Sequence, residues 1–121
     1  MADSILLSVP TSAGASQSVE AYSVVPGLCV YQTRTQVPGK SRRVWVIAHL
    51  GTGRVVENRE YVRKRDAANV AGELCAFADW GEGAKEIAVA VQSHYPGVSF
   101  SLALGRMFCE AEEKANAQRY F

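Results

Sequence analysis

Paired ligand spacings are the first thing this chain lacks. Its three cysteines, Cys29, Cys75 and Cys109, stand far apart, and with His49 and His94 they make no Cys-x-x-Cys or His-x-x-x-His pair. A structural zinc site therefore has no spacing to rest on. An odd cysteine count without paired spacing also argues against a disulfide framework and for a reducing compartment. A nucleophilic pair, Cys75 with His49 or Cys109 with His94, can be drawn on paper. The plainer reading of Cys75, beside an apolar helical stripe, is a small core residue. No apolar run reaches the ~18 residues of a membrane helix. Residues 1–9 lack a basic start followed by a long apolar stretch, so no secretory leader is read there. Gly51-Thr52-Gly53 lacks the Gly-Lys-Ser/Thr ending of a phosphate loop and reads as a turn. These absences lead us to expect a cytoplasmic protein away from membranes, without cofactor or metal and without the spacing of an enzyme family.

Net charge is nearly absent too, but only on average. The whole chain carries +1. Residues 33–65 hold nine bases, Arg34, Lys40, Arg42, Arg43, Arg54, Arg59, Arg63, Lys64 and Arg65, against Glu57 and Glu60, a block of +7. Residues 1–32 carry −2, and residues 66–121, with four bases and eight acids, carry −4. Hydrophobic residues at 48% with 21% charged describe a globular chain. A length of 121 residues suits one domain, 1–121, that buries roughly two-thirds of its unfolded surface.

The element pattern predicts an α+β fold: an antiparallel sheet of four to five strands with two to three helices packed on one face. Ser4–Val9 reads as an edge strand ended by Pro10, followed by a small, polar, flexible loop over 10–18. Val19–Val25 is strand-like, and Pro26-Gly27 is a turn. Leu28–Gln36 alternates, and Pro38-Gly39 suits the middle of a type II turn. Val44, Val46 and Ala48 alternate with Trp45, Ile47 and His49, and Arg54–Val56 reads as a return strand. Asp66–Asp79 reads as a helix with Asp66 as its N-cap and Val70, Leu74 and Phe77 on one stripe. Trp80 closes over its last turn, and Gly81 and Gly83 end it. These elements make a core unit over 28–80. Residues 84–94 fit helix and strand alike, and Lys85 and Glu86 tip them toward helix. Val98–Leu104 alternates as a half-buried strand ended by Gly105. A C-terminal helix over 106–120 shows a thin apolar face, suited to fraying or to docking on a partner. Either expected edge strand, Ser4–Val9 or Val98–Leu104, offers a route to a homodimer.

The candidate binding residues lie in the basic block: Arg42, Arg43, Arg54, Arg59, Arg63, Lys64 and Arg65, with Tyr61 and Trp80. Clustered bases neutralise phosphates and release counterions. Tyr31, Trp45 and Tyr61 can stack on bases where they face outward. The bland alternative is a solvated face whose arginines pair with the acidic remainder of the chain. Trp45, on a central strand, reads as core. Trp80, beside glycines, reads as an exposed hot spot. Asp79, Glu82 and Glu86 are equally well a cation cluster or a solvated first helical turn.

Three pieces of the central unit, Trp45-Val-Ile-Ala-His49-Leu-Gly-Thr-Gly53, Lys64-Arg65-Asp66-Ala67-Ala68 and Asp79-Trp80, resemble a pattern found in small accessory proteins of phages, plasmids and integrated elements. The resemblance covers about a third of the chain and carries over no activity residue by residue. It implies an origin in a mobile element. Such proteins often bind and inhibit host machinery, including defence systems such as CRISPR–Cas. The expected partner is nucleic acid or a host protein complex, and the expected role is non-catalytic.

Overall fold

Alternation of side chains in the first half of the chain builds one sheet, and 3.6-residue periodicity in the second half builds the layer that covers it. The computed structural model describes residues 4–10 and 14–118. Strands β1 (Ser4–Pro10), β2 (Ser16–Val25), β3 (Leu28–Arg34) and β4 (Arg43–His49) form an antiparallel sheet in the order β1-β2-β3-β4. Helices α1 (Lys64–Glu73), α2 (Ala84–Ser93) and α3 (Phe100–Gln118) follow. The fold is α+β. Among the described residues no helix is long and apolar enough to cross a membrane.

The two faces of the sheet bury different sets. Leu28, Val30 and Ile47 face the helices and join Ala67, Val70, Ala71, Leu74, Phe77, Ile87 and Val91 in the main core. On the other face Leu7, Ala21, Cys29, Tyr31, Val46 and Ala48 form a second core, flanked by Ile5, Val9, Val19, Leu50 and Val55. Among the described residues no helix packs on that face; the sheet covers it by rolling. Gly53 lies past β4, yet a Cβ added to it would stand 2.1 Å from the Ser8 carbonyl oxygen in β1, at the opposite edge. Three flat inter-strand spacings would keep those edges about 14 Å apart. The roll therefore encloses an apolar interior, where burial pushes the Cys29 thiol up to about 11.

Several expected elements are corrected. Ser16–Ser18, placed in the 10–18 loop, are strand residues paired with Pro10, Val9 and Ser8; residues 11–13 lie outside the described set. The return strand Arg54–Val56 is reduced to one bridge, Ala48 with Val55, and a second, Trp45 with Tyr61, follows further on. Between the two bridges the chain swings out, because Arg59 turns to α3 and Glu60 turns back to Thr35 and Gln36. The type II turn is present: Lys40 N–H donates to the Val37 carbonyl across Gly39 at φ +79°.

Helix α1 starts at Lys64. Its N-cap is Arg63, which makes no side-chain cap bond, and Asp66 sits in the first turn. The regular helix stops at Glu73, and a 3-10 turn over Leu74–Ala76 follows. Trp80 Nε1–H donates to the Leu74 carbonyl at 2.9 Å, so the indole does close this end. Gly83 ends nothing; it is the N-cap of α2, which confirms helix over 84–93.

The largest correction is α3, which contains the segment expected as a strand over Val98–Leu104. Phe100 and Leu102, half of the supposed alternation, are exposed, whereas small Ala103 is fully buried. The true stripe is Ala103, Met107, Phe108, Ala111 and Ala115, at helical spacing. Ser99 starts it: its hydroxyl accepts from Leu102 N–H, and its carbonyl accepts from Ala103 N–H. Gly105 lies within the helix. The apolar face of the C-terminal helix is not thin. Alanines let α3 approach α1 closely, and this face is core rather than a docking surface. Residues 119–120 of that expectation lie outside the described set.

One close approach fixes how the layers meet. A Cβ at Gly27, where φ is +88°, would fall 2.0 Å from the Trp80 carbonyl oxygen. Gly39 also has positive φ, with nothing within 4 Å. Gly27→Ala should therefore cost on the order of 3 kcal/mol by urea unfolding, and Gly39→Ala only about 1 kcal/mol, the conformational term alone.

Candidate functional site

Strand register sets out the surface. Gln32 pairs with Trp45 and Arg34 with Arg43, so all four share the helix-facing side with Val30 and Ile47. Glu20 and Tyr22 of β2 lie on the same side, since Tyr22 pairs with Val30. At the end where β3 leaves and β4 enters, the helices stop short. Gln32, Arg34 and Arg43 are exposed there, and Tyr22 and Trp45 are half-buried. The rings of Tyr22 and Trp45 lie 6.0 Å apart at 54°. Lys64, at the start of α1, places its ammonium 3.5 Å from the centre of the Tyr22 ring and 5.9 Å from Trp45. Tyr22 Oη–H donates to Glu20 at 2.5 Å, and that bond raises the phenol above its ordinary range. A cavity of about 270 Å³ opens here, lined by Val19, Glu20, Tyr22, Gln32, Arg43 and Trp45.

Arginines line the end of this platform. Arg34 and Arg43 are direct cross-strand neighbours. Trp45 and Tyr61 exchange both backbone hydrogen bonds, at 2.7 and 2.9 Å, in an antiparallel bridge. Arg63 follows two residues after that bridge, in extended backbone at the N-cap of α1. Like charges directly opposed on a sheet are destabilising, by a few tenths to 1 kcal/mol per pair, a typical range of roughly 0.2–1. Among the described residues none of the three has an acidic partner within 4 Å; the one ion pair is Arg59 with Glu112 at 3.1 Å.

The +7 block is thus divided. Arg34 and Arg43 edge the platform and Lys64 lies on its rings, with exposed Arg63 and Arg65 on either side of Lys64 in the chain. Arg42 lies beside Glu60. That carboxyl sits below its usual range because it accepts from Gln36 N–H and the Thr35 hydroxyl, with Arg42 adding a smaller pull. Arg54 stands past the other end of β4, about 20 Å from Arg43 at strand rise. Arg59 is committed internally: its guanidinium meets Glu112, the Gly105 carbonyl and Cys109 Sγ.

Two expected aromatic contacts are corrected. Trp80 is not an exposed hot spot but 3% exposed, with its carbonyl bound by His49 Nε2 at 3.0 Å. Tyr61 is half-buried and donates its hydroxyl to Glu112 at 2.7 Å. Tyr31 faces the rolled interior. Trp45, read as core, is only half-buried and available at the platform. Reasoning on charge alone missed Tyr22 and Gln32, and it counted Arg34 in the basic block without placing it in the site. The available signal was parity: even positions in β2 and β3 and odd positions in β4 share one face.

Neither cysteine–histidine pair assembles. Cys75, read as core, is exposed, and Cys29 is the buried thiol. Both ring nitrogens of His49 are engaged, Nε2–H by the Trp80 carbonyl and Nδ1 by the Thr52 hydroxyl at 3.2 Å. His94 packs edge-on against Phe77. Among the described residues no three of His, Cys, Asp and Glu come together as a metal set. Comparison with protein-family models, with curated proteins and with solved structures gives no significant match.

Burial and carboxylate contacts also mark the tyrosines. Tyr61 is raised far above its ordinary value by burial and then by Glu112. Tyr95 is pushed up to about 12 by burial and then by Glu110. Tyr31 is raised by burial. Each phenol holds its proton more tightly folded than unfolded. Their contribution is complete below pH ~10 and is lost as pH climbs through the folded values. The melting temperature should therefore fall between about pH 10 and 12, and the phenolate absorbance at about 295 nm should rise late, together with unfolding. Tyr61→Phe should shrink the alkaline fall.

Proposed function

We propose that this chain is a non-catalytic binding protein of mobile-element type that holds nucleic acid on the platform of Tyr22, Trp45, Arg34, Arg43, Arg63 and Lys64. The observation that carries this reading is the row Arg34–Arg43–Arg63. Arg34 and Arg43 are paired across neighbouring strands, and Arg63 follows the Trp45–Tyr61 bridge by two residues, none of them with an acidic partner among the described residues. A row that repels itself in the free protein gains most from an anion of repeating charge, such as a phosphate backbone. The N-terminus of α1, whose N-cap Arg63 makes no side-chain cap bond, adds partial positive charge to the same edge, offset in part by Asp66 in the first turn. Half-buried aromatic rings beside the row give the surface an apolar component that a purely solvated charged face lacks.

The competing target is a host protein complex, as the resemblance to element-encoded proteins implies. Its motives are a surface of mixed charge sign and a C-terminal helix free to dock; the apolar stripe of that helix is occupied by the chain's own core.

Salt dependence tests the reading. With Arg34, Arg43, Arg63 and Lys64 on phosphates, log affinity should fall against log salt with a slope of about −3 to −4. Arg43→Gln should weaken binding and reduce that slope by about one, whereas Arg54→Gln, at the far end of β4, should leave it unchanged. Absence of binding to any DNA or RNA at low salt would overturn the proposal. So would capture from a host lysate of a protein partner that survives nuclease treatment.

A further inference from the structure

The platform already holds a cation. Lys64 Nζ sits 3.5 Å from the Tyr22 ring centre, inside the usual range for a cation over an aromatic face. The same ammonium is 5.9 Å from Trp45, whose ring leans toward Tyr22 at 54°. Two π-faces at the edge of an arginine row are thereby capped by a flexible four-carbon side chain. The pocket beside them, of about 270 Å³, reaches Gln32 and Arg43. Lys64 makes no ion pair among the described residues, and its ammonium lies against the two rings.

We infer that Lys64 is a resident plug on a base-stacking platform, and that a single-stranded nucleic acid displaces it, its bases taking the faces of Tyr22 and Trp45 while Lys64 turns to the phosphates. This rests on the reading of the basic surface as a nucleic-acid site and narrows it to single strands. The chemistry selects this occupant. A cationic ligand, such as a methylated lysine, would suit two rings but would meet Arg34, Arg43 and Arg63. A simple anion would suit the arginines but leave the rings unused. A ligand with flat faces and regularly spaced negative charge uses both. In a duplex those faces are stacked on one another and are not available.

Polarity follows from Glu20. Its carboxylate, held on the Tyr22 hydroxyl, borders on the β2 side the same pocket that Arg43 borders on the β4 side. Phosphates are repelled on the β2 side and drawn to β4 and the start of α1. The bases then point across the sheet toward β3, where the Gln32 amide offers both a donor and an acceptor to a base edge.

The test uses the full chain with a thymidine oligomer of about twelve nucleotides, its uridine counterpart, and the thymidine strand annealed to its complement. Either single strand should quench Trp45 emission. The quenching should vanish in Trp45→Phe, because buried Trp80 does not respond. The Lys64 ε-methylene resonance, shifted upfield by the Tyr22 ring in the free protein, should return to the ordinary lysine position on binding. The duplex should bind at least ~10-fold more weakly, and Tyr22→Leu should lose about the same factor for single strands. Equal affinity for duplex, or single-strand binding that leaves both the Trp45 emission and the Lys64 resonance unmoved, would overturn the inference while leaving the basic-surface reading intact. No binding of any of the three at low salt would remove both.

Discussion

The carbonyl of Trp80 joins the two halves of this protein. It lies against the bare α-carbon of Gly27, in the turn between β2 and β3, and accepts from His49 Nε2–H at the end of β4. The Trp80 indole donates in turn to the Leu74 carbonyl at the end of the α1 segment, and Leu50 N–H donates to the Gly27 carbonyl. Sheet and helix layer are thereby locked at one corner. Apolar burial supplies most of the stability, but it is non-directional and would tolerate sliding of one layer on the other. Polar groups that each need a buried partner do not slide, since losing one costs about 1–3 kcal/mol. With that corner fixed, α1 is set over the sheet so that its first turn, Lys64 included, reaches Tyr22 and Trp45.

The division of the basic block follows from the same geometry. Arg59 faces α3 and is absorbed by Glu112, as the expectation of internal pairing would have it. Arg34, Arg43 and Arg63 sit where the sheet outruns its helices, and none meets an acid among the described residues. A charge count along the chain cannot separate these outcomes. The register of three neighbouring segments does.

Much of the architecture was legible in the sequence for local reasons. Strands β1 to β4 alternate, and Val70, Leu74 and Phe77 mark the buried stripe of α1 and the 3-10 turn that follows it. Parts that depended on distant partners were not. Phe100, Leu102 and Leu104 mimic a strand because the true contacts of α3 are alanines, whose small size carries little pattern. Trp80 looked exposed because its neighbours Gly27 and His49 lie 53 and 31 residues away in the chain. In the site, Arg43, Arg63 and Lys64 were visible as charge. Tyr22 and Gln32 were not, because a strand's own sequence does not say which of its two faces the helices leave bare.

The contact between Ser8 and Gly53 bears on how the molecule behaves in a crowd. An open meander offers two rows of unpaired amides and carbonyls, one on each outer strand, and such rows recruit further strands from other molecules. Here the curl sets one rim against the loop beyond the other, and the swung-out stretch after Val56 keeps the far rim irregular. Each rim thus hinders the other from templating a neighbour. A small sheet gains protection from fibril-like growth through its curvature, to which Pro10 at the end of edge strand β1 adds a residue with no amide to offer.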